Sequence, residues 1–242
     1  MGDNGRNALS EVLASNSDRK ALIRTVRVSL LVSVLSVGFG VVLAWALITI
    51  QGRVWRVIVW VSVLAPFWMS VVVKNYVFVL LLRQGGPVQG MLAQIGIIGP
   101  STNLLYTEGA VVVGMFYAML PYAVLPLYAT FSRLDHSMIS AAESLGAGRI
   151  RALWNVVVPL CARGMLAAGT LVFVISLGFY VTPVILGGPT APFAASAIGT
   201  ALFEFFNLDQ AKALAVVLLA IALLAAIASL WVSRYVLRSE DR

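Results

Sequence analysis

The chain has 242 residues, of which 60% are hydrophobic and 11% charged, and its formal net charge is +7. A soluble domain carries about 25% charged residues, so this surface is too apolar for water and the protein belongs in a lipid membrane. The basic residues sit at the ends of apolar runs, as membrane topology requires, and not in a patch that would hold nucleic acid. The single cysteine, Cys161, rules out an internal disulfide, and the single histidine, His136, argues against a Cys/His metal site.

Residues 1–27 form a polar tail with no apolar core of the kind a cleavable signal needs. Ala8, Leu9, Val12 and Leu13 recur there at helical spacing, which suits a helix lying on a membrane surface. Five apolar stretches follow, at about 28–50, 57–82, 109–131, 162–184 and 213–236. Each is long enough to cross the hydrocarbon. Backbone groups in lipid must be satisfied within the segment, and these runs do not alternate as barrel strands do, so all are predicted helices. The expected fold is therefore all-α and integral to the membrane.

The connections set the expected orientation. Arg53 and Arg56 lie in one, Arg133, Arg149 and Arg151 in another, and Arg238 and Arg242 in the tail at 237–242; these belong on the cytoplasmic side. The connections 83–108 and 183–212 then face outward. Five crossings with a cytoplasmic C-terminus place the N-terminus outside. That position conflicts with Arg6, Arg19, Lys20, Arg24 and Arg27, which Asp3, Glu11 and Asp18 offset only in part. No internal repeat, low-complexity segment or soluble domain is evident.

The absences restrict function. All ten acidic residues lie in tails or connections, so no carboxylate relay of the kind used by ion-coupled carriers crosses the membrane. No His-carboxylate cluster or nucleophile motif supports a membrane enzyme. None of the three lysines, Lys20, Lys74 and Lys212, follows a glycine, which excludes a Gly-Lys phosphate loop in this chain. A channel subunit would show a filter or an inverted repeat, and neither is present.

One cytoplasmic connection is unusual. In SAAESLGAGRIRALWNVVVPL, Ser140 to Leu160, Met138, Ala141, Ala142 and Leu145 fall on one helical face, with Asp135 or Ser137 as cap. Gly146 follows at the position where a left-handed residue ends a helix. A second amphipathic stretch has Ile150, Leu153, Trp154 and Val157 toward one side, and Pro159 closes it. The segment predicts helix, sharp turn, helix.

The order Ser140-Ala141-Ala142, then Gly146, then Val156-x-Val158-Pro159 resembles the EAA motif of binding-protein-dependent ABC importer permeases. The Ala-Ala, Gly and Pro spacings match without a gap; Ser140 stands in place of the family glutamate. Residues 65–82, 103–128 and 178–188 are similar to the spermidine/putrescine branch of these type I permeases. Members of that branch usually carry one more N-terminal membrane helix, so this chain corresponds to the five-helix core. The resemblance implies a coupling loop at 132–159, in which Ser140, Ala141, Ala142, Glu143, Leu145, Gly146, Ala147 and Pro159 meet an ABC ATPase. It further implies a sister permease subunit, identical or homologous, an external solute-binding protein, and ATP with Mg held by the ATPase and no cofactor in this chain. The location implied is the bacterial inner membrane. Polyamines are the first solute expected; ferric iron, phosphonates and amino-acid derivatives are alternatives.

Lys74, Tyr76, Tyr117, Tyr180, Glu204 and Asp209 are the candidate residues of a solute pathway. Lys74 reads equally as a pathway charge or as a lysine reaching the outer headgroups. Glu204 and Asp209 with nearby aromatics could form an acidic vestibule, or a loop that docks a binding protein. Pro66, Pro121 and Pro126 suggest helix kinks, and Gly164, Gly169 and Gly178 suggest close packing.

Overall fold

The computed structural model describes residues 12, 14–99, 102–134, 148, 151, 153–188 and 192–240, and every regular element among them is helical. Helix α1 spans Asn16–Thr49. It begins in the stretch read as a polar tail, well before the expected start at Val28, because its end is well capped. Ser15 accepts a hydrogen bond from the Asp18 amide at 3.4 Å, and Asp18 places a negative charge in the first turn. Its 34 residues make a rod of about 51 Å, longer than the hydrocarbon thickness of about 30 Å.

The apolar run at 57–82 is not one helix. It is α2, Arg53–Trp68, followed by α3, Val71–Leu82, and then α4, Pro87–Gln94; the direction changes by 108° at the break. Met69 and Ser70 hold extended backbone angles there. Hydropathy is continuous across this break, so periodicity could not reveal it. Helix α5, Glu108–Phe131, runs without interruption through Pro121 and Pro126, and Thr107 caps it by accepting from the Ala110 amide at 3.2 Å.

A π-helical turn at Leu153–Val157 and a single turn at Val158–Leu160 lead, with a 69° change of direction, into α6, Ala162–Leu177. Helix α6 therefore stops short of the expected 184, and the chain resumes in a second π-helical turn at Pro183–Gly187. Within the connection expected at 183–212 lies a further helix, α7, Ala194–Phe203. Helix α8 is Leu208–Glu240. Three of these helices are long and apolar enough to cross a membrane, or up to five spans exist if each bent pair counts as one.

Helices α1 and α5 run parallel, with Arg24 beside Glu108 at one end and Ala44 and Trp45 packed with Phe131 at the other. A seam of small residues on α1, Ser29, Ser33, Ser36, Gly40 and Ala44, is buried against its neighbours. A Cβ added to Gly40 would sit 2.9 Å from Leu127 Cδ1 and 3.3 Å from Ala123 Cβ, so a side chain here would push Leu127 aside. Ser33 Oγ donates to the Gly169 carbonyl at 2.7 Å, and a Cβ on Gly169 would find Ser33 Oγ at 3.5 Å. Gly164 is tighter still, with Thr130 Oγ1 only 2.4 Å from a Cβ there. Without water between membrane helices, such close contacts and interhelical hydrogen bonds hold them together. Gly178 differs: it caps α6, and a Cβ there would meet nothing nearer than 3.8 Å.

Candidate functional site

The Ala-Ala-Gly segment lies outside the described residues, including Ser140, Ala141, Ala142, Glu143, Leu145, Gly146 and Ala147. Its downstream root is described. Leu153, Val157 and Cys161 are buried among Val41, Ala44, Trp45, Leu127 and Phe131, at the end of the bundle where α1 and α5 finish. The root is thus fixed to the two best-packed helices, which is what a segment must have if it is to pass on a movement. Trp154 departs from the amphipathic reading: it is 57% exposed while Leu153 and Val157 are buried. The π-helical winding at Leu153–Val157 shifts the register, so a count of 3.6 residues per turn places Trp154 wrongly. Pro159 is exposed and lines, with Trp154, Val158 and Gly38, an open apolar groove of about 840 Å³.

At the opposite end, polar contacts tie α1 to the long connections. Arg24 Nε donates to Glu108 Oε1 at 2.9 Å, and Arg24 Nη1 donates to the Pro192 carbonyl at 3.2 Å. Arg27 pairs with the other oxygen of Glu108. Thr25 Oγ1 accepts from the Ala194 amide at 2.8 Å, and Gln210 Nε2 donates to Asp18 Oδ2 at 3.1 Å. These contacts place the start of α1 at the same end as the connections at 83–108 and 183–212. They also explain two of the tail's basic residues: Arg24 and Arg27 share Glu108 and are anchored into the fold.

The six residues read as a pathway do not form one site. Tyr180 lies against α7, where a Cβ on Gly199 would come within 2.7 Å of its ring. Glu204 follows α7 and lines a cavity of about 530 Å³ together with Asp18, Thr200 and Gln210. Asp209 does not share that cavity; it pairs with Lys212 at 3.7 Å, one turn away on α8. Asp18, not Asp209, is therefore the second carboxylate beside Glu204.

Lys74 and Tyr117 meet instead at the break between α2 and α3, and Tyr76 stands exposed farther along α3. Lys74 Nζ donates to the Pro66 carbonyl at 2.7 Å. A helix ends with carbonyls that lack intrahelical partners, and in a membrane they cannot turn to water. The lysine satisfies one of them, a role that neither sequence reading of Lys74 anticipated. Tyr117 Oη lies 3.8 Å from Met69 Sδ, and its ring packs edge-on to Phe78 at 5.5 Å. Phe67 packs on Tyr122 at 5.4 Å. Trp68 is 87% exposed and Tyr76 60%, so this aromatic surface faces away from the chain's own core.

The family model described as the binding-protein-dependent transport system inner membrane component matches residues 23–240. The chain belongs to this family. The spermidine/putrescine transport system permease protein PotB of Escherichia coli (strain K12) is 26% identical over 169 residues, covering 70% of this chain. The match spans 61% of that relative's own length. The molybdenum transport system permease protein ModB of Azotobacter vinelandii is 29% identical over 174 residues, 72% of this chain and 75% of the relative. Among solved structures, that of a bacterial ABC transporter involved in the import of the acidic polysaccharide alginate superimposes with a TM-score of 0.79 at 18% identity. It covers 97% of this chain and 84% of that one. The fold is that of an ABC permease, and the protein is a multi-pass component of the inner membrane.

The sequence reading missed Asp18, Arg24, Arg27, Glu108 and Gln210. A signal was present: Arg24 and Arg27 stand one turn apart, and Glu108 is the acid nearest the start of the third apolar run. Two cations on one helical face with an acid at a neighbouring helix end suggest an ion pair.

Proposed function

We propose that this chain is the membrane-spanning subunit of an ATP-driven importer, and that its solutes are polyamines such as putrescine and spermidine. It forms half of the pathway with a second permease subunit, identical or homologous, and an external binding protein delivers solute to it. A separate ATPase dimer binds ATP and Mg, and receives the segment 132–159 in a cleft. Closure of that dimer moves the segment before Gly146, and the root at Leu153, Val157 and Cys161 passes the movement to α1 and α5. In this arrangement the C-terminus is cytoplasmic and the N-terminus external.

The observation that carries the reading is the family match over 23–240 together with the unbroken Ala141-Ala142, Gly146 and Pro159 spacing. The likeness to PotB and the exposed aromatic surface beside Tyr76 and Trp68 favour an organic cation, since aromatic faces attract ammonium groups. The likeness to ModB supports a second reading, the same importer for another small solute. Uptake of labelled putrescine, spermidine and molybdate separates them. The assay uses bacteria lacking their own importers for these solutes, supplied with this chain, its ATPase, its sister subunit and its binding protein. Saturable amine uptake that requires the ATPase is expected. Uptake of molybdate alone would transfer the assignment to the oxyanion, and uptake of none by an assembled complex would end the polyamine reading.

A further inference from the structure

The break between α2 and α3 is more than a bend. The carbonyls of Phe67 and Trp68, at the end of α2, accept no hydrogen bond among the described residues. Beside them the Pro66 carbonyl accepts from Lys74 Nζ at 2.7 Å. A helix C-terminus carries the negative end of the backbone dipole, so these carbonyls suit a cation with several N–H donors. Trp68 itself is 87% exposed at this helix end, and Tyr117 reaches Met69 directly beside it. Discontinuous helices with unpaired carbonyls at membrane depth are where cations are coordinated in membrane proteins. Tyr117, which touches Met69, is the tenth residue of α5, about 14 Å along that helix from its start at about 1.5 Å per residue. The break therefore lies within the span and not at its surface.

We propose that this carbonyl end is a recognition site for a primary ammonium group of the transported solute, and that Lys74 is its tethered occupant. In the solute-free chain the lysine ammonium fills the position. When solute arrives, its ammonium takes the carbonyls and Lys74 swings out on its flexible stem. The exchange is one ammonium for another, so the Pro66 carbonyl is never left bare in lipid. Neutral and anionic solutes cannot displace the lysine, which makes Lys74 a specificity-determining residue. The inference rests on the amine reading above.

The test compares wild type, Lys74→Met and Lys74→Arg in the purified complex with ATPase and sister subunit, by direct binding of labelled putrescine and, separately, by uptake. Removing the tethered competitor should tighten putrescine binding several-fold in Lys74→Met. Lys74→Arg, which keeps a cation at the site, should bind no more tightly than wild type. A lysine that only caps the helix predicts the opposite: Lys74→Met assembles less stably and binds putrescine equally or more weakly. That result, with the complex intact, overturns the proposal. Tightened binding with no uptake by wild type would keep the ammonium site and refute the polyamine transport reading. If Lys74→Met does not assemble, Lys74→Gln provides a neutral variant that keeps a side-chain donor at this position.

Discussion

Gly164 offers the sharpest test of how α5 and α6 are held together. A Cβ at this position would lie 2.4 Å from Thr130 Oγ1, 2.6 Å from Thr130 Cγ2 and 2.9 Å from Thr130 Cβ. Carbon atoms in good contact are about 3.5–4.0 Å apart, so all three approaches are repulsive. Thr130 cannot simply rotate away, because its Oγ1 is held by donation to the Pro126 carbonyl at 2.8 Å, and its Cβ moves only with the α5 backbone. Gly164→Ala should therefore destabilise the folded chain by about 1–3 kcal/mol, the usual range for overpacking a tight contact. Thr130→Ala removes the two nearest atoms. The double variant should recover about 1 kcal/mol or more of the loss, as expected for residues in direct contact. Thermal unfolding of the purified protein in detergent, for wild type, both single variants and the double, reads this coupling. If Gly164→Ala is as stable as wild type, or the two changes are simply additive, the close approach of α5 and α6 at this point is wrong.

Other substitutions probe the remaining contacts. Leu153→Ala, at a fully packed position, should cost about 2–5 kcal/mol. Trp154→Ala, on the exposed side of the same turn, should cost far less; equal losses would restore the regular helical register rejected above. Arg24→Ala should destabilise by about 1 kcal/mol or less, with the difference shrinking at high salt; a loss unchanged by salt would show that the contact with Pro192 matters and the ion pair does not. Gly146→Asp, at the left-handed turn that the sequence predicts there, is expected to cost on the order of 1–2 kcal/mol and to abolish uptake while the protein still reaches the membrane. Normal uptake by that variant would remove the lever role from the segment.

The membrane class and the positions of the apolar helices were legible because lipid demands long apolar runs, and charges punctuate them. The starts and ends were less so. Helix α1 begins at Asn16 because capping and the ion pair with Glu108 stabilise polar turns that hydropathy alone assigns to a tail. The break at Met69–Ser70 was hidden because both halves are equally apolar, and only Pro66 marked the region. The exposed side of Trp154 was hidden by π-helical winding, which no 3.6-residue count detects. The site divided in the same way. Local spacing exposed the Ala-Ala-Gly segment, whereas Asp18 beside Glu204 and Lys74 on the Pro66 carbonyl depend on contacts between distant turns or across a bend.

The central claim is that a separate ATPase drives this chain through the segment around Gly146. The most direct test is putrescine uptake into vesicles containing this chain, its sister subunit and the ATPase, with loaded binding protein on the opposite face from ATP. Wild type and Gly146→Asp are compared. Wild type is expected to take up putrescine only while ATP is hydrolysed. Gly146→Asp is expected to take up none, although the variant inserts and the ATPase itself remains active. Uptake that continues without ATP hydrolysis, or that Gly146→Asp leaves unchanged, would show that no ATPase drives this chain through that segment.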